Sequence, residues 1–123
     1  MLSVIIVNYK NAPLLRLCLK SLQRVTPPPT GGSFTHEIIV VDASAGADTA
    51  HVVTEEFLNI RYLPFKENIG YTRAVNYGLK AAKGDSMFII NADIISPKGS
   101  LEKMYDYMDT HPEIGLLGPR LLN

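Results

Sequence analysis

The sequence lacks the cysteines, charge imbalance and long apolar runs that mark several classes of protein. Its 123 residues include a single cysteine, Cys18, so neither an internal disulfide nor a multi-cysteine zinc site can form. On a predicted helix, this lone thiol is interpreted as buried and structural. Twelve basic residues balance twelve acidic ones, and a neutral balance does not favour binding to nucleic acid or to a membrane surface.

Signals for export and for several nucleotide-dependent chemistries are also missing. No apolar run reaches the roughly 18 residues that a membrane-spanning helix needs, and the amino terminus lacks a basic leader with a cleavage site. We find no Gly-x-Gly-x-x-Gly run after the first apolar segment and no Gly-x-x-x-x-Gly-Lys-Ser/Thr loop. A dinucleotide cofactor and an ordinary ATPase loop are therefore disfavoured. The absence of Gly-x-Ser-x-Gly likewise disfavours a hydrolase elbow.

Short apolar runs rich in valine and isoleucine predict the strands. Three of them, Ser3–Val7, Glu37–Val41 and Met87–Ile90, do not alternate with polar residues. This pattern is typical of strands covered on both faces, as in parallel sheets. A weaker strand is predicted at Ile60–Leu63 and a short fifth one at Gly115–Leu117.

Helical periodicity fills the intervals between these strands. Asn11 is a plausible N-cap of the first helix, and Gly84 is expected at the C′ position of the third. Strand–helix alternation predicts one α/β domain over residues 1–123, with a mostly parallel, Rossmann-like sheet and helices on both faces. The predicted helices are Ala12–Arg24, Thr49–Phe57, Tyr71–Lys83 and Lys98–Thr110.

A proline- and glycine-rich stretch separates the first helix from the second strand. Thr26–Ser33 reads Thr-Pro-Pro-Pro-Thr-Gly-Gly-Ser, which is incompatible with a helix or a central strand. We interpret it as an exposed connector. A proline-rich ligand for another domain is the less favoured alternative.

Polar residues follow three of the predicted strands at the point where each strand ends. They are Asn8-Tyr9, Asp42 and Asn91-Ala92-Asp93. Asp and Asn often cap helices or form turns after strands, but three such groups in a parallel sheet converge on one edge. Ligands of open α/β sheets bind at the carboxyl ends of the strands, so the sequence predicts a ligand cleft there.

Together these segments resemble the inverting GT-A glycosyltransferases, most closely the rhamnosyltransferase-like branch of family 2. The resemblance covers nearly the whole chain in order. It implies a transferase that moves a sugar from a UDP- or dTDP-sugar to a glycan or lipid-linked acceptor in cell-wall or polysaccharide biosynthesis. The matching stretches are Ser3–Tyr9, Glu37–Asp42, Glu67–Asn76, Asn91–Asp93, His111–Gly115 and Gly118–Asn123.

The resemblance assigns the nucleoside contacts by position. Val7, Asn8 and Tyr9 would line the base pocket, partly through backbone groups. Asp42 would accept a hydrogen bond from the imide N–H of uracil or thymine, a role that suits an ionised carboxylate.

The resemblance also assigns the residues around the phosphates. Asn68 and Gly70 would lie where a loop passes over the nucleotide, and Arg73 would lie near the diphosphate. Asn91-Ala92-Asp93 stands in the place of the family's Asp-x-Asp motif. Asp93 would hold a divalent cation, Mg²⁺ or Mn²⁺, bound to the diphosphate.

Two departures from the family pattern limit what the chain is expected to do alone. Residues 43–48 read Ala-Ser-Ala-Gly-Ala-Asp, where the family often has a different turn near the ribose. The resemblance implies that the family's acceptor-binding half, with its Asp or Glu base, is missing from these residues, so we expect catalysis to be incomplete without it. The acidic residues after Asp93 are interpreted as solvated charges; they are Glu102, Asp106, Asp109 and Glu113.

The sequence is also compatible with other functions and partners. A non-catalytic nucleotide-sugar-binding module or degenerate subunit is the main alternative, and a receiver-like domain is disfavoured because Asn8-Tyr9 replaces the acidic cluster that it needs. An exposed last strand predicts a homodimer or poor solubility. We expect a cytoplasmic protein without nucleic-acid partners, with peripheral association at the cytoplasmic membrane face left open.

Overall fold

A computed structural model describes residues 1–25 and 34–122. The predicted connector Thr26–Ser33 therefore lies outside the described residues. Strands and helices alternate along the chain as the sequence predicted. They are β1 (Leu2–Asn8), α1 (Ala12–Leu22), β2 (His36–Asp42), α2 (Ala47–His51) with a π-helical continuation (Val52–Glu56), β3 (Ile60–Pro64), α3 (Tyr71–Ala81), β4 (Ser86–Asn91) and α4 (Ser100–Thr110).

The four strands form one sheet in the order β3-β2-β1-β4, and every pair is parallel. The predicted α/β fold with a parallel sheet is thus confirmed. The fifth strand predicted at Gly115–Leu117 is wrong, because these residues adopt no strand conformation. Leu116 is 92% exposed, so its side chain is not buried against the sheet as that of a strand residue would be.

Strand β1 is buried along its whole length because both faces of the sheet are covered. Its even-numbered side chains Val4 and Ile6 pack against α1, whereas Ile5 and Val7 face the side covered by α3. Full burial of such a side chain contributes about 1.5–3 kcal/mol. The non-alternating apolar pattern of β1 therefore follows from its central position in the sheet.

Helix α1 begins as predicted. The side chain of Asn11 accepts a hydrogen bond from the Leu14 N–H at 3.4 Å, and a proline lies in the first turn. Leu15, Cys18 and Leu19 are fully buried. The interpretation of Cys18 as a buried structural thiol is therefore confirmed.

The predicted role of Gly84 as the C′ residue of α3 is wrong, because that helix already ends at Ala81. Gly84 instead donates its N–H to Ser3 Oγ at 2.8 Å. A Cβ at this position would lie 2.5 Å from the carbonyl oxygen of Met1. Close backbone approach, and not helix termination, requires glycine here.

Two further expectations about helices need adjustment. The predicted helix Thr49–Phe57 begins at Ala47 and changes to π-helical geometry at Val52. Glu102 was expected to be solvated but is only 3% exposed. It follows the buried Leu101 in the first turn of α4, which faces the protein. Within residues 1–25 and 34–122, no helix is both long enough and apolar enough to cross a membrane.

Candidate functional site

The carboxyl ends of three neighbouring strands bring the predicted polar residues to one edge of the sheet. Asn8 at the end of β1 lies opposite Asp42 on β2, and Val7 lies opposite Asn91 on β4. The chain runs from β1 outward to β3 and then returns to place β4 on the other side of β1. This reversal is where open α/β sheets bind ligands, so the predicted position of the cleft is supported.

A buried polar network lies beneath this edge and contains Asp42, Asn8, Tyr62 and Thr49. Asp42 Oδ1 accepts a hydrogen bond of 3.2 Å from Asn8 Nδ2, and its Oδ2 accepts one of 2.7 Å from the Tyr62 hydroxyl. Asn8 Nδ2 also donates to Thr49 Oγ1 at 3.3 Å. Burial, together with the hydrogen bond to the Asp42 carboxylate, raises the pKa of Tyr62 above its usual range. The Asp42 network therefore joins β1, β2, β3 and α2.

Neither Asp42 nor Asn8 reaches the surface, since both are 0% exposed. Asn8 Oδ1 is buried without a hydrogen-bond partner in the described part of the chain. Exchanging the oxygen and nitrogen of the Asn8 amide would not help, because the oxygen would then face the Asp42 carboxylate, which is also an acceptor. The structure therefore brings these two predicted donor-binding residues together but turns both side chains inward.

An open cleft of about 260 Å³ lies beside the network, at the ends of β1 and β2 and the start of α3. Four of the predicted donor-binding residues line it, together with two that the sequence did not single out. Because β1, β2 and the segment before α3 all end here, this edge cleft can receive a flat ligand. Its lining residues are Val7, Tyr9, Ala43, Asn68, Gly70 and Tyr71.

The rim of the edge cleft is aromatic and partly ordered by a local turn. The Tyr9 and Tyr71 side chains are 51% and 54% exposed. Asn68 Oδ1 accepts the N–H of Gly70 at 2.9 Å, and Gly70 has φ +77°. That conformation favours glycine, which explains why this residue immediately precedes α3.

Ala43 is one of the two cleft residues, with Tyr71, to which the sequence analysis assigned no role in the site. It is 3% exposed and belongs to the apolar cluster on the α3 side of the sheet. Its N–H donates to the Asn8 carbonyl at 2.9 Å, and its carbonyl accepts from the Ile69 N–H at 3.2 Å. Alternation along an extended chain puts residues 42 and 43 on opposite faces, but only the structure shows that Ala43 is the one on the side of the cleft.

The predicted metal residue Asp93 is exposed just beyond the end of β4, and Asn91 is exposed at that end. Burial and, to a smaller extent, the negative charge of Asp93 raise the pKa of Cys18 to about 12. Cys18 Sγ lies 4.0 Å from the carbonyl oxygen of Asn91, so the end of β4 lies against α1. Among the described residues, no group of three or more His, Cys, Asp or Glu side chains could enclose a metal.

This donor set suits one kind of cation site. Mg²⁺ and Mn²⁺ bound with nucleotides take one or two carboxylates and draw their other ligands from phosphates and water. An exposed Asp93 beside an exposed Asn91 fits such a shared site and does not fit a metal cage made by protein alone. The residues present are therefore compatible with a cation that arrives with a diphosphate.

Two cationic side chains lie near the edge cleft in sequence or in space. Lys10 Nζ is 5.5 Å from the centre of the Tyr9 ring. Arg73 is exposed in the first turn of α3, two residues after Tyr71. Both positions could place positive charge beside an anionic ligand, and Arg73 has the geometry to bind two phosphate oxygens.

Sequence comparison identifies the family. The profile described as Glycosyl transferase family 2 matches residues 3–122. The chain belongs to this family. It is 32% identical over 110 residues to the uncharacterized glycosyltransferase YwdF of Bacillus subtilis, covering 89% of this chain and 38% of that protein. It is 28% identical over 129 residues to the N-acetylglucosaminyl-diphospho-decaprenol L-rhamnosyltransferase of Mycobacterium tuberculosis, covering 96% of this chain and 40% of the relative.

Solved structures of glycosyltransferases share the fold. TarS 1–349 of S. aureus in complex with UDP has a TM-score of 0.76 at 25% identity, covering 90% of this family 2 chain and 32% of that one. The mannosyltransferase PcManGT of Pyrobaculum calidifontis, in complex with GDP-Man and Mn²⁺, has a TM-score of 0.72 at 25% identity. That match covers 87% of this chain and 32% of the mannosyltransferase.

This family 2 chain spans less than half the length of the two curated relatives, 38% and 40% respectively. Its sequence match and its fold place it in the family 2 glycosyltransferases. The residues that match the family include all four described strands, apart from Leu2 at the start of β1, and the carboxyl edge of the sheet.

Proposed function

We propose that this chain is the donor-binding part of an inverting glycosyltransferase that uses a UDP- or dTDP-sugar. The acceptor would be a glycan or a lipid-linked saccharide, in cell-wall or polysaccharide biosynthesis. The observation that carries the proposal is the edge cleft, in which Val7, Tyr9, Asn68 and Gly70 come together at the carboxyl ends of β1 and β2.

In this proposal the nucleobase occupies the edge cleft and contacts the rings of Tyr9 and Tyr71. Asn68 and Gly70 form the turn that closes over the nucleoside, and Arg73 contacts the diphosphate. Asn8 supports the pocket from below through its contacts with Asp42 and Thr49. The predicted role of Asp42 as the acceptor for the base stays a prediction, which its complete burial does not favour.

Asp93, with Asn91 beside it, would hold Mg²⁺ or Mn²⁺ together with the diphosphate. When bound, the cation would supply positive charge that stabilises the departing nucleotide. The edge cleft lies at β1 and β2, and Asp93 follows β4 on the far side of β1. Strands are about 4.8 Å apart, so the ends of β2 and β4 are separated by roughly 10 Å. That separation suits a ligand with its base at one end and its diphosphate at the other.

An inverting transfer also requires a general base that takes the proton of the acceptor hydroxyl. We assign this role to no residue of the chain and propose that the base lies in the acceptor-binding half or on a partner. Residues Asp109 and Glu113 are exposed on or after α4, where they retain the interpretation of solvated charges. The predicted cytoplasmic location and peripheral membrane association stay predictions.

Calorimetric titration with UDP and with dTDP, in the presence and absence of Mn²⁺, tests this proposal. We expect Mn²⁺ to tighten binding to the unmodified chain, and Asp93→Ala to lose about tenfold or more of that gain. The loss corresponds to one charge-assisted contact of about 1.5–3 kcal/mol. Metal-free binding by Asp93→Ala should be unchanged.

Asp109→Ala is the matched control, since it removes an exposed carboxylate of the same type from the last turn of α4. It should bind nucleotide and metal like the unmodified chain. Equal metal dependence in Asp93→Ala and Asp109→Ala would contradict the assignment of Asp93 as the residue that binds the cation. Failure of the unmodified chain to bind either nucleotide would remove the donor site itself.

A further inference from the structure

Two consecutive residues at the end of β2 face opposite sides of the sheet. Asp42 points into the network formed with Asn8 and Tyr62, whereas Ala43 lines the edge cleft. We propose that residue 43, and not Asp42, is the position that faces the nucleobase, and that its methyl group offers the edge of the base no hydrogen bond. The inference rests on the proposed donor site and removes contacts at residue 43 as the source of a preference for UDP- or dTDP-sugars. It predicts that binding of the nucleoside diphosphate alone does not distinguish uracil from cytosine.

Asp42 is not available to a ligand in the edge cleft. Its side chain is 0% exposed, and each carboxylate oxygen already accepts a hydrogen bond from a buried or partly buried donor. To reach a base it would have to leave both Asn8 and Tyr62. Each group left buried without a partner costs about 1–3 kcal/mol, and more where a charge is involved. The gain of one hydrogen bond to an imide would not offset that loss.

The backbone of Ala43 is equally occupied. Its N–H donates to Asn8 and its carbonyl accepts from Ile69, so both groups extend the sheet beyond the end of β2. Val7, the other residue at the bottom of the cleft, accepts the N–H of Ala92 at 3.2 Å. Neither residue carries a polar side chain. The floor of the cleft therefore presents an apolar surface to the edge of the base.

The aromatic rim supplies a different kind of contact. Tyr9 and Tyr71 are about half exposed and both line the cleft. Stacking of a base on an aromatic ring contributes about 1–3 kcal/mol and tolerates any base, because every base has a π-face. Strong discrimination, in contrast, arises where the wrong ligand leaves a polar group of the site unpaired. Contacts with rings and an apolar floor give affinity with little selectivity.

UDP and CDP are the ligands that test this inference most directly. Uracil and cytosine have nearly the same shape, but uracil presents an imide N–H donor where cytosine presents an acceptor nitrogen. We expect calorimetry on the unmodified chain with Mn²⁺ to give dissociation constants for UDP and CDP within about threefold of one another. A preference for UDP above about tenfold would show that the base is read, and would overturn the inference even if no variant folds.

Ala43→Asp tests the position itself. A carboxylate at residue 43 can accept from the imide of uracil and is left facing an acceptor when cytosine is bound. We expect the UDP-to-CDP preference of this variant to rise about tenfold, the size of one charge-assisted hydrogen bond. Ala45→Asp is the control, because it adds the same charge two residues later at a position outside the cleft lining. An unchanged preference in a folded Ala43→Asp would overturn the inference.

Asp42→Asn separates the two candidate positions. It should lower the melting temperature, because it alters the contacts to Asn8 and Tyr62, and it should leave the ratio of UDP to CDP affinity unchanged. A changed ratio with Asp42→Asn would place the reading group at Asp42 and contradict the inference. If the unmodified chain binds neither nucleotide, the proposed donor site fails and the inference fails with it. Tight but selective binding overturns the inference alone.

Discussion

Tyr62 on β3 donates a hydrogen bond of 2.7 Å to Oδ2 of Asp42 on β2, and the carboxylate that receives it is completely buried. Tyr62→Phe removes the donor while keeping the ring. We expect the free energy of unfolding to fall by about 1–3 kcal/mol, because a buried carboxylate oxygen then lacks a partner. Urea denaturation followed by circular dichroism measures this loss.

Tyr77→Phe is the control for that substitution. Tyr77 on α3 is 47% exposed and packs its ring against Phe65 at a centroid distance of 4.6 Å, a contact that phenylalanine retains. Its unfolding free energy should stay within about 0.5 kcal/mol of the unmodified value, as for ordinary surface substitutions. Equal losses in the two variants would mean that the bond to Asp42 contributes nothing specific.

Glu37 fixes the opposite, amino-terminal edge of the sheet. Its Oε1 accepts from Ser3 Oγ at 2.6 Å and from the Lys83 N–H at 2.7 Å. Burial alone would raise the pKa of Glu37, but these hydrogen bonds and the charges of Lys83 and Arg61 outweigh it and hold the pKa below its usual value.

Because the pKa of Glu37 is lower in the folded chain, ionised Glu37 stabilises the fold above the unfolded value of about 4.3. That stabilisation is lost as the pH falls through the folded pKa. Glu37→Gln should therefore lower the melting temperature at pH 7, and the difference from the unmodified chain should shrink towards pH 3. A difference that stays constant between these pH values would mean that the charge of Glu37 plays no part. In a Ser3→Ala background, the effect of Glu37→Gln should be smaller.

An exposed apolar face of β4, on the same side of the sheet as α3, predicts self-association. Register places Met87 beside Ser3 and Ile89 beside Ile5, yet these side chains remain 46% and 41% exposed. β4 carries neither charge nor proline, the features that protect an edge strand from pairing. We expect concentration-dependent dimers in analytical ultracentrifugation, and Ile89→Lys should shift the equilibrium to monomer.

Leu58→Lys is the matched control for Ile89→Lys. Leu58 is 85% exposed just before β3, so the same change in charge occurs away from β4. It should leave the dimer population unchanged. A chain that sediments as a monomer at all concentrations would show that the exposed face of β4 does not drive association.

Much of the fold could be predicted because its signals are local. Asn11 precedes a helix with an apolar stripe, and β1, β2 and β4 each contain an apolar run that ends in a polar residue. Such patterns distinguish a strand from a helix without any knowledge of which element packs against it. The π-helical geometry that begins at Val52 and the burial of Glu102 escaped prediction, because both depend on how a helix packs and not on its own period.

The inward orientation of the Asp42 side chain could not be predicted, for a different reason. When one face of a strand is exposed to solvent, alternation of polar and apolar residues shows which side of the sheet each residue faces. β2 is apolar on both faces near its end, so the sequence does not reveal whether Asp42 or Ala43 faces the cleft. Only the position of α2 and β3, which supply Thr49 and Tyr62, decides the matter.

The contact of Gly84 with Ser3 has a consequence for how this fold can diversify. Together with Glu37 it ties the chain between α3 and β4 to the start of β1, at the end of the sheet remote from the edge cleft. Substitutions at that end act on folding, whereas the turns that follow each strand can be exchanged while the sheet keeps its register. If the proposed donor site is correct, new donor preferences can therefore arise through small replacements around residue 43 without redesign of the scaffold.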